Sequence, residues 1–296
     1  MTSTPRAGIP TAVFPVAGLG TRFLPATRAV PKELLPVVDR PLVQYAVHEA
    51  VEAGAKTLVF VISHGKESVA EHFRPDPTLE ASLQAAGKQA LVERLHDILP
   101  AGVNVEVAYQ PEPLGLGHAV LCAREHVDEN AFFSVLLPDD MVLNDGPGAL
   151  QQMADVHART GGGVVGVERV DPAMTGSYGI AEVDGGEPPR ITSLVEKPAP
   201  EDAPSNLGVI GRYILDGRIF SRLQDLGAGA GGEIQLTDAI AGMLGEHPVY
   251  AGTLNGTRYD CGNRAGMLKA NIDYALANPD LREGLLAHLR GLDLNG

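Results

Sequence analysis

Cysteine and positive charge are both scarce in this sequence. Only Cys122 and Cys261 occur among 296 residues, far apart and in neither a Cys-x-x-Cys nor a zinc-ligand spacing. They read as reduced thiols, which points to a cytoplasmic protein. Lys and Arg number 23 against 37 Asp and Glu, a net charge of −14. That balance argues against broad nucleic-acid binding, because a phosphate backbone demands basic surface. It does not oppose a small phosphorylated ligand, which needs only a local positive pocket. No apolar run is long enough to span a bilayer, so no membrane partner is expected. Residues 1–10 lack an apolar signal core and hold Pro5, Gly8 and Pro10, so a flexible tail is expected there. No Gly-x-Ser-x-Gly elbow and no Cys–His pairing is legible, which leaves covalent catalysis without a candidate nucleophile. Hydrophobic residues at 44% and charged residues at 20% suit a folded globule with a substantial core.

Against this acidic background, residues 17–35 join a glycine turn (Ala17-Gly18-Leu19-Gly20-Thr21) to three cations, Arg22, Arg28 and Lys32. Glycines let backbone N–H groups approach phosphate oxygens, and Arg and Lys neutralise them, so the stretch suggests a triphosphate. The glycines alone are weak evidence. Phe23 stands where a dinucleotide fingerprint has its third glycine, and a tight strand exit without a ligand reads equally well. The bland reading of the cations is a solvated basic loop. Against it, Lys32 lies between Pro31 and Glu33, just before Leu34-Leu35-Pro36, in a stiffened segment that can hold it in place.

Apolar runs at 11–17, 57–63, 103–109 and 132–137 read as strands, and 41–53, 79–99 and 117–126 as helices. This alternation implies an α/β fold with a mainly parallel central sheet and helices on both faces. Right-handed crossovers then place the Gly18 loop, the Gln110–Gly117 loop and Asp139-Asp140 on one rim, where ligands bind. Shorter strands at 163–170, 179–183, 190–195 and 207–215 extend the sheet with more antiparallel character. Gly227–Gly232 reads as a flexible loop before a helix at 233–244, and helices at 264–277 and 281–291 close the chain. One domain over 11–296 is expected: a nucleotide-binding half to about residue 140, a second half over 141–262, and C-terminal helices over 263–296.

Three further constellations carry chemistry. Asp139 and Asp140 end an apolar strand, and adjacent carboxylates repel unless something offsets them. Mg²⁺ would do so; a polar turn capping the next helix is the alternative. Asp260 is a second candidate ligand, or an ordinary helix-start aspartate. Glu196-Lys197 ends another strand and reads either as a surface ion pair or as a sugar-hydroxyl acceptor beside a phosphate clamp. His118, after Gly115-Leu116-Gly117, reads as a helix-start histidine with a structural hydrogen bond.

Taken in order, Ala-Gly-Leu-Gly-Thr-Arg-Phe-Leu-Pro-Ala-Thr with Pro-Lys-Glu (17–33), Gly-Leu-Gly-His-Ala-Val (115–120), Leu-Pro-Asp-Asp (137–140), Tyr-Gly-Ile (178–180), Glu-Lys-Pro (196–198), Gly-Glu-Ile-Gln-Leu-Thr-Asp-Ala (232–239) and Asp-Cys-Gly (260–262) resemble the bacterial UTP–glucose-1-phosphate uridylyltransferases. The resemblance runs from about residue 11 to about residue 278. Arg28 stands where many relatives carry Lys, which keeps the charge. The resemblance implies a Rossmann-like nucleotidyltransferase fold, Mg²⁺, UTP and glucose 1-phosphate as substrates, UDP-glucose and pyrophosphate as products, and a homo-oligomer. By position it implies that Ala17, Gly18, Gln110 and Gly115 meet the uracil, within a nucleotide loop that includes Gly20 and Thr21. Arg22 and Lys32 would hold the β- and γ-phosphates, and Asp139 and Asp260 would ligate the metal. Lys197 would bind the sugar phosphate, with Gly179, Glu196 and Asp140 on the glucose.

Three rivals stand beside this reading. A glucose-1-phosphate thymidylyltransferase shares the fold, but such relatives usually show Gly-Asp-Asn at 138–140 and lack the 232–239 segment. A catalytically silent sugar-nucleotide sensor would not need the whole metal and leaving-group set. A dinucleotide-dependent dehydrogenase is weakened by Phe23, and by Asp39 lying before a helix and not after a second strand.

Overall fold

The computed structural model describes residues 8–227, 229 and 232–293. Strand β1 (Thr11–Pro15) leads through single helical turns and the short ladder β2 (Pro36–Val37) and β3 (Arg40–Pro41) into α1 (Leu42–Glu52). There follow β4 (Thr57–Ile62), α2 (Ser68–Glu71), α3 (Pro77–Ala85), α4 (Gln89–His96), β5 (Asn104–Tyr109), α5 (Leu116–Cys122) and β6 (Phe132–Leu136). The second half runs β7 (Asp140–Leu143), α6 (Ala149–Thr160), β8 (Gly163–Arg169), β9 (Gly179–Val183), β10 (Ile191–Glu196) and β11 (Leu207–Asp216). It continues with α7 (Ile219–Asp225), α8 (Leu236–Met243), β12 (Val249–Thr253), β13 (Thr257–Asp260), α9 (Arg264–Ala277) and α10 (Pro279–Arg290).

Strands β6, β1, β4 and β5 lie side by side in parallel, with Thr11 opposite Thr57 and Pro15 opposite Val61. Long β11 pairs antiparallel with β6, β8 and β9. Then β10 extends β9 antiparallel and β12 extends β8 in parallel. This is the expected mixed α/β sheet, parallel in its first half and more antiparallel in its second. Because side chains alternate faces, β1 and β4 send Val13, Val59 and Val61 to one side and Phe14, Leu58, Phe60 and Ile62 to the other. Helices α5, α7 and α8 cover the first side and α1 and α6 the second. Both faces being covered explains why the strands read as continuous apolar runs. A third, smaller cluster joins Val37, Leu42, Met141, Tyr259 and Met267 beneath α9.

The structure corrects several expectations. The helix expected over 79–99 is two helices, α3 and α4, parted at Gly87, whose φ of 69° suits glycine. Its apolar stripe is not core: α3 buries no residue and α4 buries only Val92, leaving Leu79 and Leu91 exposed. Several elements had no counterpart in the sequence reading, among them β2, α2, β7, α6, α7 and β12. The helix at 117–126 stops at Cys122, and that at 233–244 starts at Leu236. Of the expected N-terminal tail, residues 1–7 lie outside the described residues, whereas Ile9 is buried and the Pro10 carbonyl accepts from the N–H groups of Lys56 and Thr57. In the expected Gly227–Gly232 loop, residues 228, 230 and 231 also lie outside the described residues. Among the described residues no helix is long and apolar enough to cross a membrane.

One polar contact inside the second core positions the rim. Arg212, in the middle of β11, is 1% exposed. Its guanidinium donates Nε to Glu49 Oε1 and a terminal nitrogen to Glu49 Oε2, at 2.8 and 2.9 Å, and the other terminal nitrogen to the Leu137 carbonyl at 2.9 Å. Glu49 Oε1 also accepts from the Leu150 N–H at the start of α6. The pair therefore ties α1, α6 and β11 to the chain two residues before Asp139. Burial works against the Arg212 charge, but Glu49 outweighs it and holds the pKa above the ordinary arginine value. Removing one partner of such a pair strands the other in a dry core. Glu49→Ala should lower stability by about 3–5 kcal/mol in urea denaturation; a loss under about 1 kcal/mol would mean water reaches Arg212.

Candidate active site

Parallel strands running the same way bring their C-terminal ends to one rim, and the loops after β1, β4, β5 and β6 meet there. Two clefts open along it. One, of ≈ 630 Å³, is lined by Ala17, Gly18, Lys32, Gln110 and Gly115 among others. The other, of ≈ 470 Å³, is lined by Arg22, Asp140, Gly179, Glu196, Lys197 and Asp260 among others. Leu116, Leu137, Asp139 and Glu233 line both, so the clefts join at Asp139.

The junction is built by the β7–β13 ladder, which sets Asp260 opposite Asp140. The Cys261 N–H donates to the Asp139 carbonyl at 2.7 Å and locks the two segments together. A Cβ placed on Gly262 would lie 2.9 Å from Asp260 Oδ1, 3.0 Å from Asp139 Oδ2 and 3.7 Å from an Arg22 guanidinium nitrogen. Two carboxylates from distant parts of the chain and one cation thus converge on one point. Lys32 Nζ sits 2.5 Å from Asp139 Oδ2. Burial opposes both charges, but their mutual attraction outweighs it. Lys32 is held above the ordinary lysine pKa and Asp139 below the ordinary aspartate one. Asp260 Oδ1 accepts from the Gly262 N–H at 2.9 Å and Oδ2 from Asn263 Nδ2 at 3.0 Å, which fixes its rotamer.

In the first cleft the glycine turn is held by a buried lysine. Lys66 Nζ donates to the carbonyls of Val16 and Gly18 and to Glu33 Oε2, the last two at 2.8 and 2.7 Å. Glu33 is 1% exposed and Lys66 9%. Burial lifts the Glu33 carboxyl above its usual range and depresses the Lys66 ammonium, despite their attraction. Gly115, at φ 98°, enters α5 where a Cβ would come within 2.7 Å of Glu233 Cβ, a place no other residue fits. Gln110, 7% exposed, donates Nε2 to the Gly115 carbonyl at 3.1 Å.

The second cleft has a stiff wall. The β9–β10 pairing sets Gly179 opposite Glu196, and Glu196 Oε2 accepts from Thr237 Oγ1 at 2.8 Å. Lys197 has φ 45°, a left-handed conformation unusual for a lysine, and its N–H donates to the Tyr178 carbonyl at 3.0 Å. Its ammonium lies 3.2 Å from Glu196 Oε1 with about half of the side chain exposed. Asp140 has both oxygens engaged: Oδ2 accepts from the Gly211 N–H at 2.7 Å and Oδ1 from Arg258 Nε at 2.8 Å. Arg258 also pairs with Glu168 and lies over the Tyr178 ring.

Most residues singled out from sequence line one cleft or the other. Gly20, Thr21 and Arg28 line neither. Gly20 packs against Lys32 and its carbonyl accepts from Thr27 Oγ1 at 2.7 Å, so it shapes the loop from behind. Thr21 and Arg28 are exposed. Asp140, expected on the glucose, lines the second cleft with its carboxylate bonded to Arg258 and to the Gly211 N–H. The sequence reading gave no role to Lys66, Thr237, Glu233 or Arg258. A Gly65-Lys66 pair in the loop that leaves the C-terminal end of β4 was the available signal for the first. A thiol–imidazole contact also exists: Cys122 Sγ lies 3.8 Å from His118 Nε2, but burial pushes the Cys122 thiol up, and that of Cys261 to about 12, so neither is an activated nucleophile.

Comparison with known proteins decides the family. The family model "Nucleotidyl transferase" matches residues 12–276. The chain belongs to the nucleotidyltransferase family. It is 46% identical over 280 residues to a UTP–glucose-1-phosphate uridylyltransferase of Bacillus subtilis, covering 94% of this chain and 93% of that one. It superposes with a TM-score of 0.88 on the UTP-bound UGPase from Acinetobacter baumannii, at 40% identity over 96% of this chain and 100% of that one. A UDP-glucose pyrophosphorylase complexed with UDP-glucose gives a TM-score of 0.80 at 37% identity, covering 91% and 100%. A nucleotidyltransferase must hold a nucleotide and its acceptor together, and two clefts meeting at one carboxylate answer that need.

The buried Lys66–Glu33 pair can be tested directly. Lys66→Met should destabilise this nucleotidyltransferase by about 3–5 kcal/mol, because Glu33 is left uncompensated. Adding Glu33→Gln should recover part of the loss, since an amide tolerates that site better than a lone carboxylate. Strictly additive losses in urea denaturation would show that the two groups do not interact.

Proposed function

We propose that the protein transfers the uridylyl group of UTP to glucose 1-phosphate, giving UDP-glucose and pyrophosphate. The observation that carries this reading is the convergence of Asp139, Asp260 and Arg22 at the junction of the two clefts. The uridylyltransferase identity of the relatives supports the substrate pair.

The donor set suits a divalent cation. Among the described residues no group of three or more His, Cys, Asp or Glu forms an all-protein cage. Asp139 and Asp260 alone fit Mg²⁺, which typically takes one or two carboxylates and completes its shell with substrate phosphates. When bound there, the ion would neutralise phosphate charge as the bond to pyrophosphate breaks.

The remaining work falls to the chain itself. The acceptor is a phosphate monoester, largely ionised at neutral pH because its second pKa is about 6, so no general base is needed. Lys197, held by a constrained backbone at the lip of the second cleft, clamps the sugar phosphate. Glu196, oriented by Thr237, accepts from sugar hydroxyls, and Gly179 leaves the room these two side chains need, since a Cβ there would lie 2.7 Å from Thr237 Cγ2 and 3.2 Å from Glu196 Oε2. Asp140 acts through Arg258, which it holds at the cleft. Arg22 and Lys32 take up the charge of the departing pyrophosphate, with Lys32 exchanging its carboxylate partner for a phosphate. Ala17, Gly18, Gln110 and Gly115 receive the base.

Pyrophosphate release from UTP and glucose 1-phosphate tests the reading. Activity should vanish with a chelator and return with Mg²⁺; silence with the ion present would favour a sugar-nucleotide sensor. Lys197→Ala should lower kcat/KM for glucose 1-phosphate roughly 10- to 100-fold, the worth of one charged hydrogen bond, while UTP binding changes little. Equal weakening of both substrates would remove Lys197 from the acceptor side.

A further inference from the structure

The Gln110 amide is held from two sides. Besides the Gly115 carbonyl, Nε2 lies 3.1 Å from His118 Nδ1. An amide nitrogen only donates, so Nδ1 must accept, and the imidazole proton then sits on Nε2. Nε2 in turn lies 3.8 Å from Cys122 Sγ, a sulfur able to accept it. The chain of donors is consistent from end to end. Both amide hydrogens are used, and no donor to Gln110 Oε1 occurs among the described residues. The buried side-chain polar atom without a partner is Glu33 Oε1, not Gln110 Oε1, so the latter is accessible. Gln110 lines the first cleft.

We propose that His118 is a positioning residue that locks the Gln110 amide with its oxygen toward the nucleotide, and so sets the choice of pyrimidine. This rests on the reading above that the first cleft receives the base. Uracil presents an N3–H that an amide oxygen accepts. Cytosine presents an N3 lone pair, which repels that oxygen and calls for the amide nitrogen instead. Turning the amide over to suit cytosine sets Oε1 against the Gly115 carbonyl and requires His118 to give up its Nε2–H tautomer and carry the proton on Nδ1. Without His118 only one of these obstacles remains.

The test compares UTP and CTP affinities by calorimetry, a readout that needs no turnover. His118→Phe keeps the ring volume and removes the acceptor. It should lower the UTP-to-CTP preference roughly five- to tenfold, the worth of one hydrogen bond. His118→Asn places an amide oxygen near the position of Nδ1 and should restore most of the preference. A His118→Phe protein that keeps the wild-type preference, or that weakens both nucleotides equally without rescue by Asn, would overturn the assignment. Failure of the uridylyl-transfer reading would look different: the wild-type protein itself would show no preference for UTP.

Discussion

The convergence of two carboxylates on one point is the constraint around which the rim is organised. Like charges at that separation repel, and the fold tolerates them because rigid contacts allow no escape. The β7–β13 ladder fixes the Asp260 backbone, the Cys261 N–H binds the Asp139 carbonyl, and Asn263 and the Gly262 N–H hold the Asp260 side chain. Lys32 offsets part of the charge on Asp139. The arrangement is preorganised, so a phosphate-bearing ligand meets donors and charges already aimed and little reorganisation remains to oppose reaction.

Charged pairs recur one layer below the site. Arg212 with Glu49 braces the chain before Asp139, and Lys66 with Glu33 braces the glycine turn. Both cations also bind backbone carbonyls. An apolar residue at either place would fill volume yet leave those carbonyls without donors, at a cost of about 1–3 kcal/mol each. Buried ion pairs are poor general stabilisers, but these two do a directional task that an apolar core cannot, namely holding irregular loops against a regular sheet.

The parallel half of the fold was legible because its strands are buried on both faces and its loops end in Gly and Pro. The missing elements failed for identifiable reasons. Helix α6 is polar overall, carrying Gln151, Gln152, Asp155 and His157, and its buried face is only Ala149, Leu150, Met153 and Ala154, so its apolar stripe is short. Strands β7 and β12 are four and five residues long and depend on distant partners. The 79–99 stripe misled in the other direction, since helical spacing of leucines says nothing about whether a core lies opposite. At the site, residues that touch open space were legible from motif order. Residues that hold them were not, because Lys66, Thr237 and Arg258 gain their meaning only when the chain brings Gly18, Glu196 and Asp140 beside them.

An acidic globule that brings two polyanions together looks contradictory until distances are considered. At physiological ionic strength the screening length is about 8 Å, so most of the surface carboxylates behind the net charge of −14 act weakly at the rim. Within that radius the balance differs. Arg22, Lys32 and Lys197 stand at or beside the joined clefts, the carboxylate of Asp139 is balanced by Lys32, and that of Asp140 by Arg258. Among the described ion pairs neither Asp260 nor Glu233 has a cation, which leaves excess negative charge at the junction, where the proposed divalent ion would sit. In the proposed reaction the same groups do without an activated thiol or hydroxyl. With the acceptor already an anion in that reaction, the difficulty lies in bringing charges together, and Lys32, mostly buried at the junction, meets it at closer to full strength than the more exposed Arg22 and Lys197.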